Sequence, residues 1–501
     1  MSVTNLGAAR GALRAAGPSA ERESIDRNGV IEKMPTGVPG LDHLLEGGLI
    51  RGNSLLIEGP PGSGKSTLGV RVVYEGAVQY GEPGLIITFE EFPRQLYHDA
   101  LQFGMDLRAL EQSGKLRVVW TPPARILEGF SGKIDLVDAI VEQMGVRRLL
   151  IDSITHFKRV ASDELELREA LSKILSHLKI KSINALLIKE LERIDDGTIA
   201  FEEYLVDASL RLYNMPSPTG GENVRVVEVR KTRGQGHISG RHPFEMGDRH
   251  FRIYPRVRPA DVLKAFPRRE QASVERVSVG IPWLDEMLQG GVWKGSLNLL
   301  SGQPGTGKSV IANHFLEAGL GGSEPGLLLS IRSTPEQILA QAAALGMRWE
   351  APYRDGTLAI LNFHPSSLCP EKMLDDLMSH IRELRPARLV FDSIDDLWSA
   401  VKDRDRVQDI VLVLATLFDA VGTTSLIMNE RRHIGGMHAG EVPDYSHLAR
   451  CVIQLSTAND GARLRRFVAI GKHAGSDHSK ELQPYQIDER GCCLEARREN
   501  G

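Results

Sequence analysis

Short, unbroken apolar runs recur along this chain, at residues 54–58, 85–89, 149–152 and 185–189 in its first half and at 297–301, 327–331, 389–392 and 424–428 in its second. They do not alternate apolar with polar positions, as a strand with one wet face does. Each is bounded by turn residues or helical stretches, which predicts parallel strands buried on both faces of an α/β sheet. Two sets of runs predict two such sheets.

The flanking residues identify the two sets as copies. Gly37-Val38-Pro39-Gly40-Leu41-Asp42 in the first half matches Gly280-Ile281-Pro282-Trp283-Leu284-Asp285 in the second, and Gly47-Gly48-Leu49 matches Gly290-Gly291-Val292. Further on, Phe103-Gly104-Met105 pairs with Leu345-Gly346-Met347, and Arg148-Leu149-Leu150-Ile151-Asp152-Ser153 with Arg388-Leu389-Val390-Phe391-Asp392-Ser393. Matches in this order point to duplication of a whole domain, with a period too long for a solenoid.

With 501 residues the chain is long enough for two domains with their own cores. Composition and pattern predict a mobile tail over 1–29, a first domain over 30–258, a linker over 259–274, a second domain over 275–490 and a C-terminal tail over 491–501. Charge is nearly balanced, 61 Lys+Arg against 65 Asp+Glu, which does not advertise a dominant nucleic-acid surface. Neither an apolar run of membrane-spanning length nor the apolar core of a secretory signal is present, so a cytoplasmic protein without membrane contact is expected. Cys369, Cys451, Cys492 and Cys493 show no C-x-x-C spacing; they read as ordinary reduced thiols rather than zinc ligands or a disulfide framework.

The first run of each set leads into a glycine-rich loop. Gly59-Pro60-Pro61-Gly62-Ser63-Gly64-Lys65-Ser66 and Gly302-Gln303-Pro304-Gly305-Thr306-Gly307-Lys308-Ser309 both satisfy G-x-x-x-x-G-K-[ST]. Glycines let several backbone N–H groups point at one phosphate chain, and the following helix adds its positive end. Lys65 and Lys308 neutralise the outer phosphates, Ser66 and Ser309 are candidate Mg²⁺ ligands, and Thr67 and Val310 complete the candidate contacts. Asp152 and Asp392 each close an apolar strand and are followed by Ser, the form of a carboxylate that helps hold Mg²⁺. ATP and Mg²⁺ are therefore the expected cofactors of both halves.

The halves differ where chemistry would be done. After its second run the first half continues Glu90-Glu91, whereas the second continues Arg332-Ser333. Paired carboxylates beside a γ-phosphate can orient and activate water, and Arg332 and Ser333 cannot. The alternative for Glu90-Glu91 is a solvated charge pair at a helix start. Near each domain's end, Lys231-Thr232-Arg233 in the first half faces Lys472-His473-Ala474 in the second. These read either as a solvated basic strand end or as a finger reaching the γ-phosphate of a neighbouring subunit.

The tandem pre-loop signature, the two loops, Glu90-Glu91 and Lys231-Thr232-Arg233, in this order, resemble the RecA-like ATPases of the KaiC family, from Gly37 to about Ile487. The resemblance implies two tandem RecA-like P-loop domains with mostly parallel central sheets, stacked as rings of normally six chains with ATP between neighbours. It also implies that Glu90 and Glu91 serve hydrolysis and that Lys231 and Arg233 act in trans, with Lys472 the retained lysine of the second domain. In clock members of the family the second domain carries its own glutamates and phosphorylates a Ser/Thr pair. Here those positions align with Arg332-Ser333 and with Ser446-His447. The expectation is an oligomeric signalling or timing scaffold with a hydrolysing first domain and a binding, regulatory second one. A nucleic-acid motor or recombination factor and an autophosphorylating kinase are the alternatives.

Overall fold

The computed structural model describes residues 31–129, 136–161, 163–191, 200–216, 223–247, 250–267, 274–430, 433–434, 437–438, 445–460, 463–489 and 491–494. The tail predicted over 1–29 lies outside them. The chain forms two compact units, with the change-over between Arg256 and Val257.

In the main sheet of the first unit the strands in chain order are β1 (Ser54–Gly59), β2 (Gly84–Thr88), β3 (Leu116–Trp120), β4 (Arg148–Asp152), β5 (Asn184–Glu190), β6 (Ala208–Met215), β7 (Val224–Thr232), β8 (Arg241–Gly247) and β9 (His250–Ile253). Across the sheet they lie in the order β9-β8-β7-β6-β1-β5-β4-β2-β3. Strands β1 to β6 run parallel, and β7, β8 and β9 extend the sheet antiparallel. Helix α1 (Lys65–Gln79) follows β1, and the short α2 (Phe201–Leu205) precedes β6.

The second unit repeats this plan. Helix α3 (Pro259–Ala265) opens it, followed by β10 (Leu297–Gly302), α4 (Lys308–Leu320), β11 (Gly326–Ser330), β12 (Leu358–Asn362), β13 (Arg388–Asp392), α5 (Ile394–Val401), α6 (Arg404–Val421), β14 (Thr424–Asn429), β15 (Cys451–Asp460), β16 (Arg463–His473), β17 (Gln483–Asp488) and β18 (Gly491–Leu494). Its sheet order is β12-β11-β13-β14-β10-β15-β16-β17-β18. Read from the other edge, each position corresponds to its counterpart in the first unit. Both are RecA-like α/β units with mostly parallel central sheets.

The continuous apolar runs arise because both sheet faces are covered. Leu55 and Ile57 enter one core of the first unit and Leu56 the other; Leu150 and its neighbours Leu149 and Ile151 divide the same way. A buried arginine at the start of β4 and of β13 ties sheet to helix. Arg148 is fully buried and donates to the Glu82 carboxylate at 2.6 Å and the Val72 carbonyl at 2.8 Å. Arg388 donates to Glu324 at 2.7 Å and to the Phe315 carbonyl at 2.8 Å. Gly76 and Gly319 make room: a Cβ at either would come within 2.6 Å of the guanidinium arm.

Two boundaries differ from expectation. Residues 259–265, predicted as linker, form α3; its Val262 is fully buried in a core that includes Phe418 and Leu417 of α6. Proline at the start of α3 and an apolar residue facing α6 make helix, not linker. The predicted tail at 491 instead begins with β18, which pairs antiparallel with β17. Cys492 packs on the core there, so burial holds the strand to the sheet edge.

Candidate functional site

The functional end of each sheet is where its parallel strands finish. Gly59 ends β1, residues Pro60 to Gly64 turn, and Lys65, Ser66 and Thr67 open α1. Gly302 ends β10, Gln303 to Gly307 turn, and Lys308, Ser309 and Val310 open α4. Gly64 and Gly307, each at φ +94°, sit where a side chain would strain the backbone and strike Met246 Sδ at 2.9 Å or Ile487 Cδ1 at 2.4 Å.

Both lysines curl over their own loops. Lys65 Nζ donates to the Pro60 carbonyl at 2.8 Å, and Lys308 Nζ to those of Gly302 at 2.8 Å and Gln303 at 3.1 Å. Burial lowers the pKa of each ammonium, opposed by carboxylates: Glu190 then Asp152 for Lys65, and Glu430, Asp395, Asp392 and Asp396 for Lys308. Ser63 Oγ, in the first loop, is buried and has no hydrogen-bond partner among the described residues. The second loop is braced by its sheet: Thr457 donates to the Gln303 side chain at 2.9 Å, Arg466 to the Gly305 carbonyl at 3.1 Å, and the Tyr485 hydroxyl to the Thr306 carbonyl.

Asp152 and Asp392 lie at the ends of β4 and β13, one strand removed from the loop-bearing strand. Burial raises the pKa of Asp152, while a hydrogen bond from Ser66 and the Lys65 charge lower it. Burial and the neighbouring Asp396 push Asp392 up to about 6. Hydroxyl, carboxylate, buried ammonium and a loop of turned amides form a donor set that fits a Mg²⁺–nucleotide phosphate chain. Among the described residues no group of three or more His, Cys, Asp or Glu side chains is arranged to hold a metal by itself.

Glu90 and Glu91 follow β2, which neighbours β4, so they share the loop's end of the sheet. Burial raises the pKa of Glu91, and the Asp152 charge adds to the rise. The Glu90 side chain is 61% exposed and meets His156 Nε2 at 3.3 Å and Arg159 Nη1 at 3.8 Å. In the second unit Arg332, 73% exposed, is clasped by the Asp396 carboxylate.

Lys231 and Arg233 are not brought to this end. Thr232 pairs with Ala208, which lies across from Leu55 near the start of β1. The loop leaves the other end of β1, roughly 13 Å away at about 3.3 Å per residue. Lys231 donates to the carbonyls of Glu203 and, at 2.7 Å, Val206; Arg233 donates to that of Tyr204 at 2.7 Å. Both thus sit on the carbonyl end of α2. Lys472 occupies the corresponding place on β16 and donates to the Ser446 carbonyl at 3.0 Å.

Four carboxylates escaped the sequence reading. Glu190 ends β5 opposite Gly59, and Glu430 follows Asn429, which pairs with Ser301; each therefore flanks its own loop. Asp395 and Asp396 open α5, close behind Asp392. In the second unit the end of β11 carries Arg332 and Ser333, and the further acids near Asp392 come from the helix after β13. The aligned segments Asp152-Ser153-Ile154-Thr155-His156 and Asp392-Ser393-Ile394-Asp395-Asp396 carried the signal.

A family model described as ATPase: KaiC matches residues 34–258 and again 277–498. The chain is 30% identical over 486 residues to the circadian clock oscillator protein KaiC of Synechococcus elongatus, covering 94% of this chain and 91% of that protein. The proteins of the same name from Prochlorococcus marinus, 28% identical over 92% of each chain, and Thermosynechococcus vestitus, 29% identical over 92% of this chain and 88% of that one, are similar to it too. Two matched repeats, two loops of one form and one sheet order place this chain in the KaiC family of ATPases.

Proposed function

We propose that the chain is an oligomeric ATPase in which both loops bind Mg-ATP, the first unit performs most of the hydrolysis, and the second turns over slowly and retains nucleotide. The observation that carries the reading is Glu91, which follows β2 at the loop's end of the first sheet and whose pKa is raised by desolvation and by the Asp152 charge. Desolvation and a neighbouring negative charge make it a better proton acceptor than an unperturbed carboxylate. Lys65 and the loop amides bind and orient the phosphates, Ser66 and Asp152 hold Mg²⁺, and Glu91 orients water toward the γ-phosphorus. Glu90, held by His156 and Arg159, shields that approach. Bound Mg²⁺ would neutralise charge developing on the phosphate oxygens.

Lys231 and Arg233 lie at the far end of their own sheet and so serve, in this reading, a neighbouring chain's nucleotide. A heterologous interface of that kind closes into a ring, with six chains expected. The assembly acts as a timing or signalling scaffold, as the names of its relatives suggest.

The test is steady-state phosphate release by full-length protein carrying Glu90→Gln and Glu91→Gln. Most turnover is expected to vanish while ATP binding persists. A parental rate from the double variant overturns the assignment.

A further inference from the structure

Contacts made at one pair of places in the first unit recur in the second with different chemistry. The backbone N–H of Glu190 donates to the Thr155 hydroxyl at 3.0 Å; that of Glu430, the matching strand-end glutamate, donates to the Asp395 carboxylate. Glu90 meets His156 at 3.3 Å; at the same two positions Arg332 meets Asp396. The acidic partner has moved from the loop after β2 to the turn after β13, and the basic partner has moved the other way. Each functional end keeps four carboxylates: Glu90, Glu91, Asp152 and Glu190 in the first unit, Asp392, Asp395, Asp396 and Glu430 in the second.

The two aspartates of α5 are not equivalent. Asp396 is engaged by Arg332 and by Ser393 Oγ at 2.9 Å. Asp395 receives the Glu430 amide through Oδ2 and faces the Lys308 ammonium. Tyr445, only 3% exposed, feels the Asp395 charge, and its hydroxyl has no hydrogen-bond partner among the described residues. A buried, unmatched O–H within reach of the Asp395 charge is a place for a water.

We propose that Asp395 is the catalytic carboxylate of the second unit, orienting water for slow hydrolysis of ATP held on the second loop. In this step the water oxygen bonds to the γ-phosphorus and the bond from that phosphorus to the bridging oxygen breaks. Its electron pair leaves with ADP, and the water's proton passes to Asp395. Asp396 and Arg332 act as a positioning pair that holds the first turn of α5 in place. The proposal rests on the reading that the second loop holds Mg-ATP.

The test uses full-length protein with Glu90→Gln and Glu91→Gln, so that the first unit's glutamates are silent, and follows release of labelled phosphate from Mg-ATP. Adding Asp395→Thr installs the residue that occupies this place in the first unit and keeps an acceptor for the Glu430 amide. The residual rate is expected to fall at least ~10-fold, with second-loop occupancy, read from Lys308-dependent ATP retention, unchanged; Asp395→Asn should act alike. An unchanged rate in protein that still retains ATP overturns the proposal, as does absence of any residual rate before Asp395 is altered. If the double glutamine protein turns over at the parental rate, the first-unit assignment has failed instead. The effect of Asp395→Thr on that background then decides Asp395 separately.

Discussion

The first and second nucleotide ends make a natural experiment in one chain. Strand order, loop form, lysine, hydroxyl and strand-end aspartate are shared, yet the carboxylates behind them come from different elements. In the first unit the turn after β4 is a 3-10 helix ending in His156, Lys158 and Arg159. In the second it is the α-helix α5, capped by Ser393, with Asp395 and Asp396 in its first turn. Acids at a helix start are favoured by the helix dipole and bases near an end likewise, so each arrangement suits its local backbone. The lesson is that a duplicated site keeps its contacts as geometry while the charges across them exchange.

The buried arginines give that comparison its largest expected effect. Arg148→Met should leave the Val72 and Pro35 carbonyls without their donor and the Glu82 carboxylate with Arg51 alone, and cost about 1–3 kcal/mol of stability. Arg388→Met should cost less, because the Glu324 side chain is 41% exposed against 11% for Glu82. Urea unfolding of both variants reads the difference, and equal losses would show that burial of the acid does not matter.

Turnover comes next. Lys65→Ala is expected to reduce phosphate release about 10²-fold, whereas Lys308→Ala should leave most of it and abolish ATP retention by the second unit. Reversal of that ranking would assign the main chemistry to the second loop. Arg233→Ala should then lower turnover about tenfold or more with a smaller change in ATP affinity. Mixing it with the Glu90→Gln/Glu91→Gln protein should restore part of the rate, because some interfaces regain both groups. No recovery in mixed rings verified by native mass spectrometry would place Arg233's contribution, if any, within its own chain. The smallest effect is expected from Arg332→Ala. Its guanidinium is 73% exposed and Asp396 keeps its bond from Ser393 Oγ, so thermal unfolding should move by no more than about 1 kcal/mol; a larger loss would mark the pair as a structural anchor.

Much of this was legible from residues alone. The four runs in each half became β1, β2, β4 and β5 and their counterparts, within two residues at either end, because strands buried on both faces leave an unbroken apolar stretch. The outer strands were not read. β3 carries Leu116 and Val118 inward and Arg117 outward, and such alternation is diluted by polar neighbours. Helix α3 was taken for linker because the prolines and charges in and around it hide one decisive core residue, Val262.

The sequence by itself determined the duplication, the strand–loop–helix units, the place of both glycine-rich loops and the aspartates that close β4 and β13. All are local patterns, in which neighbours along the chain remain neighbours in space. Only the tertiary structure decided which acids stand beside each lysine. Glu190, Glu430 and Asp395 sit far along the chain from the loops they face, and parallel crossovers bring the strand ends together. Only it placed Lys231 and Arg233 at the opposite end of the sheet, since the direction of β7 follows from antiparallel pairing with β6 and not from any property of the residues it carries.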